Sequence, residues 1–315
     1  MSSRFFPSTF LWAALGLVAL ADLAAMALTG FRLTGNGAFW IAAVSAAAWG
    51  LGHFYSAARP DARLAALAFG AAYLILFTFF AGTLSYVGTG FNRPLLDAVF
   101  AGADAALGLD WLAALTFADA HPWLGRGLRL AYQSSLFQVA AALIVLAATG
   151  QLVRLQGFLA LFAATSLVTI VTSIAFPAAG AFVFHNPPAE LRDVVGQDAG
   201  IWHFVHFEAL RSGAMRTIDP AAIEGLITFP SFHTALAVVT AWAFWRTRHI
   251  AVPALLLNLT VIASTVPVGG HYFVDVFAGA AIAGACIAGL AWRPWEAARP
   301  RLARADGLAT ESIAN

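Results

Sequence analysis

Charged residues are scarce in this chain, and their scarcity excludes an ordinary water-soluble fold. Only 10% of the 315 residues are charged, whereas 61% are hydrophobic. A typical soluble domain carries about 25% charged residues. The composition therefore predicts a polytopic membrane protein. The formal net charge of +1 provides no basic field of the kind that attracts nucleic acid, so we expect no nucleic-acid partner.

Lysine is absent altogether and cysteine occurs once. All seventeen basic side chains are therefore arginines. The single cysteine, Cys286, lies within the last apolar run, so no internal disulfide can form and the redox compartment cannot be inferred from cysteine usage. The sequence also has no glycine-rich phosphate loop and no clear internal repeat.

Apolar runs long enough to cross a bilayer, about 20 residues, recur along the chain. We predict an all-α, polytopic integral membrane protein with about eight transmembrane helices. The predicted spans are 10–30, 38–57, 63–87, 129–149, 158–184, 236–245, 251–267 and 271–292. The span at 236–245 is short unless its helix begins near Ser231.

Two polar segments interrupt this pattern. Segment 88–129 has aspartates spaced among small and apolar residues, which predicts one or two interfacial helices. Segment 185–228 is the longest polar stretch and predicts a helix packed over the membrane face. We divide the chain into N-terminal helices at 1–127, a catalytic helical core at 128–292 and a basic tail at 293–315.

Two short stretches carry the residues suited to chemistry, FPSFHTA at 229–235 and GGHYFVDV at 269–276. Histidine and aspartate are costly near a bilayer, so their presence needs a reason. His271 and Asp275 are one helical turn apart and share a helix face. A neighbouring carboxylate orients an imidazole and makes it more basic. Together with His233, this pair suffices to transfer a phosphoryl group through a covalent intermediate.

These stretches resemble the type 2 phosphatidic acid phosphatase superfamily, whose three blocks read KxxxxxxRP, PSGH and SRxxxxxHxxxD. The second block reads PSFH at 230–233, and the third begins Ser264-Thr265 and continues through His271 and Asp275. Thr265 stands where arginine is usual. The first block cannot be complete, because the chain has no lysine. The resemblance covers roughly residues 210–279 and implies a six-helix-type catalytic core.

The resemblance implies a role for each residue of these blocks. His271 is the candidate nucleophile, Asp275 the carboxylate that stabilises its imidazolium, and His233 the general acid. The structural alternatives are a buried His–Asp pair that only joins two helices, and a His233 that merely follows an N-cap at Ser231. Ser231, Gly270 and the free backbone N–H groups near His233 are the candidate phosphate-binding groups.

A phosphate-binding site also needs cationic side chains. Arginine is well suited, because its guanidinium can bind two phosphate oxygens. Arg211 is our first candidate and Arg216 the second. Arg93, followed by proline as at the end of the first block, ranks lower. The alternative for all three is an arginine that snorkels at the interface. We expect no cofactor and no metal, because His203 and His206 lack a third ligand at a recognised zinc spacing.

The variants FPSFHTA and GGHYFVDV resemble the branch that includes inositol phosphorylceramide synthases. That branch implies transfer of a head-group phosphoryl unit from a lipid donor to a lipid acceptor. The alternative enzyme is a lipid phosphate phosphatase of the phosphatidic acid or polyprenyl phosphate type. The alternative outside enzymes is a membrane transporter, although transporters more often show paired repeats and broken helices.

Arginine distribution predicts the orientation in the membrane, because cytoplasmic loops are enriched in basic residues. With both termini in the cytoplasm, the inner segments hold ten arginines and the outer segments seven. The strongest contributions come from the short loop at 246–248 and the tail. This orientation puts His233, His271 and the long polar segment on the extracytoplasmic face.

Overall fold

The computed structural model describes residues 8–193, 195–196 and 200–291. In this part of the chain nearly all regular structure is α-helical. The helices are α1 (Thr9–Thr29), α2 (Gly37–Ala57), α3 (Ala62–Thr89), α4 (Asp97–Ala106), α5 (Trp111–Ala120), α6 (Pro122–Ala148), α7 (Leu152–Ala175), α8 (Ala181–His185), α9 (Phe204–Ser212), α10 (Phe232–Phe244), α11 (Ala251–Ser264) and α12 (Phe273–Ala291). Two 3₁₀ turns occur, at Ala189–Arg192 and Pro220–Ala222.

Six of these helices are long and apolar enough to cross a membrane: α1, α2, α3, α6, α7 and α12. The pair α4–α5, bent by 79°, could be counted as a seventh span. The all-α, multi-pass membrane fold predicted from the sequence is confirmed. Many leucines on α1 are exposed, among them Leu17, Leu20 and Leu23, which suits a surface that faces lipid.

The other two predicted spans form the short helices α10 and α11, with 13 and 14 residues. Each is about 20 Å long, less than the ~30 Å hydrocarbon core. At one end, Nε of Arg154 donates to the carbonyl of Ala243 at 2.8 Å, which joins α10 to the start of α7. At the other end, α10 begins beside Tyr132, ten residues after the start of α6. The hairpin formed by α10 and α11 therefore ends about 15 Å before the level at which α6 begins.

Helices α4 and α5 occupy the space beyond this hairpin. The indole Nε1 of Trp111 donates to the Val266 carbonyl at 3.2 Å, just after α11. Phe100, Trp111 and Tyr272 belong to one buried apolar cluster that joins α4 and α5 to the start of α12. Segment 88–129, for which one or two interfacial helices were predicted, forms the two helices α4 and α5. They pack against the turn that follows α11 and against the start of α12.

Several helix boundaries differ from the sequence prediction, and proline accounts for two of them. Helix α7 ends at Ala175 rather than near residue 184, because the residue before Pro177 is pushed out of the helical region. Helix α6 begins at Pro122 rather than 129, since proline is favoured at the first helical position. The boundary predicted at 127/128 falls inside α6 and stays a prediction. The predicted tail at 293–315 lies outside the described residues.

The long polar segment folds against the N-terminal helices. Helix α9 forms where a helix was predicted, and it buries Phe207 and Leu210 beside Phe31 and Tyr86. Two short parallel strands, β1 (Arg32–Leu33) and β2 (Thr217–Ile218), pair Arg32 with Thr217. This pairing fixes the segment between α9 and α10 over the end of the bundle that contains the histidine blocks.

Candidate active site

The His271–Asp275 pair is buried where α12 begins. Nδ1 of His271 lies 3.3 Å from Oδ2 of Asp275, and the same oxygen accepts a 2.9 Å hydrogen bond from the backbone N–H of Tyr272. The residues are 2% and 0% exposed. Among the described residues, the other carboxylate oxygen of Asp275 has no hydrogen-bond partner. The spacing of one helical turn thus brings the pair together as predicted.

Asp104 on α4 caps the start of α12 from another helix. Its two carboxylate oxygens accept hydrogen bonds from the backbone N–H groups of Phe273, at 2.8 Å, and Val274, at 2.9 Å. The first N–H groups of a helix have no partner within the helix, so a buried helix start requires such an acceptor. Asp104 therefore fixes the first turn of α12, on which Asp275 stands.

Asp97, two helical turns earlier on α4, joins two loops of the site. It accepts hydrogen bonds from the N–H groups of Ala179 and Gly180, at 3.0 and 2.9 Å, and from the Tyr272 hydroxyl at 3.0 Å. Sequence reasoning did not select these aspartates as site residues. The available signal was two aspartates, seven residues apart, on one face of an apolar helix.

Ser231 fixes the start of α10 against α12. Its hydroxyl oxygen accepts from the N–H of Thr234 at 3.3 Å, which makes it the N-cap, and its own N–H donates to the Asp275 carbonyl at 3.0 Å. Gly279 permits this approach, because a Cβ there would lie 2.2 Å from the Ser231 carbonyl oxygen. His233, in the first turn of α10, is thereby held near the His271–Asp275 pair.

Tyr132 on α6 holds the His233 ring. Its hydroxyl is 3.1 Å from Nδ1 of His233, and the two rings stack with centroids 4.2 Å apart. Gly269 fits between this tyrosine and His271, since a Cβ there would lie 2.8 Å from the Tyr132 ring and 3.0 Å from the His271 ring. Sequence reasoning missed Tyr132, which gives no signal as a single tyrosine in an apolar run.

Of three comparisons with known proteins, one found a match. A family model described as PAP2 superfamily matches residues 99–289, more than half of the chain. The chain belongs to the PAP2 superfamily. No curated protein and no solved structure matches it. The superfamily predicted from the histidine blocks is confirmed, and the branch within it stays a prediction. As a PAP2 protein the chain is a membrane enzyme of lipid phosphatase or phosphotransferase type.

The PAP2 match begins within α4 and includes both histidine blocks. Burial lowers the pKa of His271 to about 4, although a backbone hydrogen bond with Thr228 acts in the opposite direction. The imidazole is therefore neutral at neutral pH, which is the form that a nucleophile requires. In a site this deeply buried, charges that develop during a reaction are screened only weakly.

His203 is a further buried histidine at this PAP2 site. It precedes α9 and is 7% exposed. Burial, and next the charge of His271, lower its pKa to about 4. His206, three residues on, is directed elsewhere: its Nδ1 lies 3.1 Å from the Tyr86 hydroxyl and 3.4 Å from Glu224. Among the described residues, no group of three His, Cys, Asp or Glu side chains could hold a metal.

The candidate phosphate-binding residues fall in two groups. Ser231 and Gly270 lie at the PAP2 site, and the Gly270 carbonyl accepts from the N–H of Ala181 at 2.9 Å. Arg211 is half-buried on α9 with its guanidinium over the Phe207 ring, at 5.3 Å. Burial lowers the pKa of Arg211, whereas the carboxylates of Glu208 and Asp97 raise it.

The two remaining arginines lie away from the histidines. Arg216 is exposed and places its guanidinium 4.9 Å from the Phe31 ring centre, beside the connection between α1 and α2. Arg93 is exposed in the connection between α3 and α4. The structure thus brings together the three candidate catalytic residues with Ser231 and Gly270. It does not bring Arg216 or Arg93 to them.

Proposed function

We propose that this PAP2 enzyme transfers a phosphoryl head group from a donor lipid to the hydroxyl of an acceptor lipid, through a phosphohistidine at His271. The observation that carries the proposal is the buried His271–Asp275 pair, with His233 held nearby by Tyr132. The substrate is a phospholipid or a polyprenyl phosphate. The finer assignment, to the inositol phosphorylceramide synthase-like branch, is part of the proposal.

In the first step, Nε2 of His271 attacks phosphorus while Asp275 accepts a hydrogen bond from Nδ1–H. A nitrogen–phosphorus bond forms and the bond from phosphorus to the leaving lipid oxygen breaks. His233 enters this step as an imidazolium, which the anionic phosphoryl group of the bound lipid stabilises. It gives its Nε2 proton to the leaving oxygen as general acid and becomes a neutral imidazole. Asp275 stabilises the positive charge that develops on the His271 ring.

In the second step, the hydroxyl oxygen of the acceptor lipid attacks the phosphohistidine. His233 takes the hydroxyl proton, the new phosphorus–oxygen bond forms and the phosphorus–nitrogen bond breaks. The neutral His271 ring and the protonated His233 ring are then restored. Ser231 supports both steps, because its hydroxyl oxygen accepts from Thr234 and its hydroxyl proton remains available to a phosphoryl oxygen.

A small number of cations favours phosphodiester substrates. Thr265 stands at the position of the third-block arginine, is fully buried and donates its hydroxyl to the Ile262 carbonyl at 2.7 Å. Arg211 stays the first candidate cation. A diester carries one negative charge, whereas a monoester carries about −1.5 to −2 at neutral pH. A site with few cations therefore handicaps monoesters more than diesters.

The aromatic surroundings favour a lipid acceptor over water. Phe229 stacks on Phe100 with ring centroids 4.3 Å apart, and Tyr272 is fully buried beside them. Phe232 and Phe273 stand at the first residues of α10 and α12. Apolar surroundings of this kind favour an acyl chain and disfavour the water that hydrolysis requires. Phosphatidic acid or polyprenyl phosphate hydrolysis is the competing function.

The test supplies purified protein in detergent with a phosphatidylinositol-type donor, labelled in its phosphoryl group, and ceramide or diacylglycerol as acceptor. Phosphatidic acid is offered in a parallel reaction. We expect label on the acceptor lipid and, after acid-free quenching, on the protein. Both signals should vanish in His271→Ala. His121→Ala, which removes an imidazole at the junction of α5 and α6, is the matched control and should retain both.

Two results would contradict the proposal. Full activity of His271→Ala would exclude the assigned nucleophile. Rapid release of phosphate from phosphatidic acid, with no acceptor lipid gaining a head group, would exclude the transferase and leave the phosphatase.

His233→Ala should lose about 10²–10⁴-fold in turnover, yet retain protein labelling with a donor whose leaving group needs no proton.

A further inference from the structure

His203 carries a polar atom that the fold leaves unpaired. The side chain is more than nine-tenths buried, and among the described residues its Nε2 has no hydrogen-bond partner. Buried polar atoms in native proteins nearly always have a partner, and an exception calls for an explanation such as a missing ligand. The transfer mechanism outlined above makes no use of His203.

The segment that carries His203 crosses the His271 block. A Cβ at Gly200 would lie 3.0 Å from the Cα of Gly270, and a Cβ at Gly270 would lie 3.1 Å from the Cα of Gly200. Only glycines allow two backbones to approach this closely. His203 is three residues from this crossing, and the chain can extend at most about 10 Å over three residues. The charge of His271 contributes to the lowered pKa of His203, which agrees with this proximity.

The described part of the site has few hydrogen-bond donors for a phosphoryl group, and His203 could supply one. The third-block arginine is replaced by Thr265, whose hydroxyl is already used within its own helix turn. Arg216 is stacked on Phe31. A phosphoryl group bound at His271 presents two non-bridging oxygens, each able to accept more than one hydrogen bond. An imidazole N–H is a suitable donor to such an oxygen, and it becomes stronger if the ring is protonated.

We infer that His203 is a substrate-binding residue that donates from Nε2 to a non-bridging phosphoryl oxygen of the bound lipid. The inference rests on the proposed function for the identity of the ligand, but its core claim concerns a tetrahedral oxyanion beside His271. His203 replaces part of the missing cationic clamp. Because the His203 ring is neutral when no ligand is bound, the empty site does not hold a buried, uncompensated charge.

The first measurement is binding of orthovanadate, a phosphate mimic, to the purified full-length protein in detergent by titration calorimetry. His203→Ala should weaken binding about tenfold or more. His203→Gln, which keeps an N–H donor of similar reach, should recover part of that loss. His206→Gln is the matched control, since it removes an imidazole of the same segment that is directed to Tyr86 and Glu224, and it should bind as wild type.

The second measurement uses wild-type protein labelled with ¹⁵N-histidine. Vanadate should shift the His203 ring signal, identified by its loss in His203→Gln, and leave the His206 signal in place. This readout does not depend on the stability of the alanine variant. Wild-type protein that binds no vanadate, or a His203 signal that vanadate leaves unchanged, would overturn the inference.

Kinetics separate this inference from the proposed function. If lipid transfer occurs, His203→Ala should raise the KM for the donor about tenfold while the phosphohistidine still forms. An unchanged KM would overturn the role of His203 and leave the transferase intact. If no lipid is transferred but vanadate binding depends on His203, the transferase fails and the oxyanion site stands.

Discussion

Both candidate catalytic imidazoles have Nδ1 held by a neighbouring side chain. For His271 the neighbour is Asp275, and for His233 it is Tyr132. A fixed Nδ1 sets the tautomer and orients the ring, so that Nε2 faces the reacting group. The two neighbours differ in charge, which suits the two roles. A carboxylate stabilises a ring that becomes cationic, whereas a phenol orients a ring that must give its proton away.

Tyr132→Phe tests the orienting role directly. The ring stack on His233 is retained and only the hydroxyl is lost. Because one hydrogen bond contributes about 1 kcal/mol, kcat should fall about five- to tenfold, with little change in the KM for the donor lipid. Steady-state assays in detergent measure both constants. Tyr55→Phe on α2 is the matched control, and equal kcat values for the two variants would exclude the role.

Acid should destabilise the folded protein through its buried histidines. The pKa values of His203 and His271 lie near 4, below the ordinary 6.5. Between these values the unfolded chain binds protons that the folded chain does not, so stability is complete above about pH 6.5 and falls as pH drops toward 4. The melting temperature in detergent should follow this course. In His203→Gln the melting temperature should fall less between pH 6.5 and pH 4 than in the wild type. An equal fall would contradict the low pKa of His203.

At the scale of elements, the site depends on how α4, α10 and α12 meet. Asp104 caps α12, and the N–H of Ser231 reaches the Asp275 carbonyl. Each contact satisfies a backbone group that would otherwise be buried without a partner. The candidate catalytic groups therefore stand on first helical turns whose positions are fixed by other helices, which gives the precision that phosphoryl transfer requires.

Gly279→Ala should separate α10 from α12. The new Cβ would lie 2.2 Å from the Ser231 carbonyl oxygen, so the helices must move apart. We expect a stability loss of about 1–3 kcal/mol and a larger proportional loss of kcat, measured by thermal unfolding and turnover. Gly284→Ala on the same helix meets nothing within 4 Å and should be neutral or slightly stabilising. Matching effects of the two substitutions would refute the close-contact argument.

At the scale of the whole molecule, the histidines and several arginines lie at opposite ends of the bundle. Nη1 of Arg63 donates to the Ala148 carbonyl at 3.1 Å, and Arg154 donates to Ala243. Because cytoplasmic ends are enriched in basic residues, we propose that the arginine end is cytoplasmic and the histidine end extracytoplasmic. The α10–α11 hairpin leaves and returns to the histidine end, so its short length does not change this orientation.

Cysteine labelling in intact cells tests the orientation. In a Cys286→Ala background, Thr217→Cys places an exposed thiol in β2 and Thr149→Cys places one in the turn after α6. An impermeant thiol reagent added outside should modify the first and not the second. Neither substitution removes an arginine, so the basic distribution is preserved. The reverse pattern would put the chemistry in the cytoplasm.

The sequence by itself determined the membrane class, the long spans and the His271–Asp275 pair. Hydrophobic length and the helical repeat are local properties, so they can be read from neighbouring residues. The PSFH and GGHYFVDV blocks also identified the superfamily, because their residues are close together in the chain.

Only the tertiary structure brought Tyr132 to His233, across 101 residues, and Asp97 to Tyr272, across 175. Asp104 accepts hydrogen bonds from backbone N–H groups. Because almost every residue has such a group, the sequence does not indicate which ones Asp104 contacts. The close approach of Gly200 to Gly270, which places His203 three residues from the His271 block, could not be predicted from the sequence either. The short helices α10 and α11 pack against α6, α7 and α12. Contacts between helices that are distant in the chain, rather than local hydrophobicity, decide where such short helices begin.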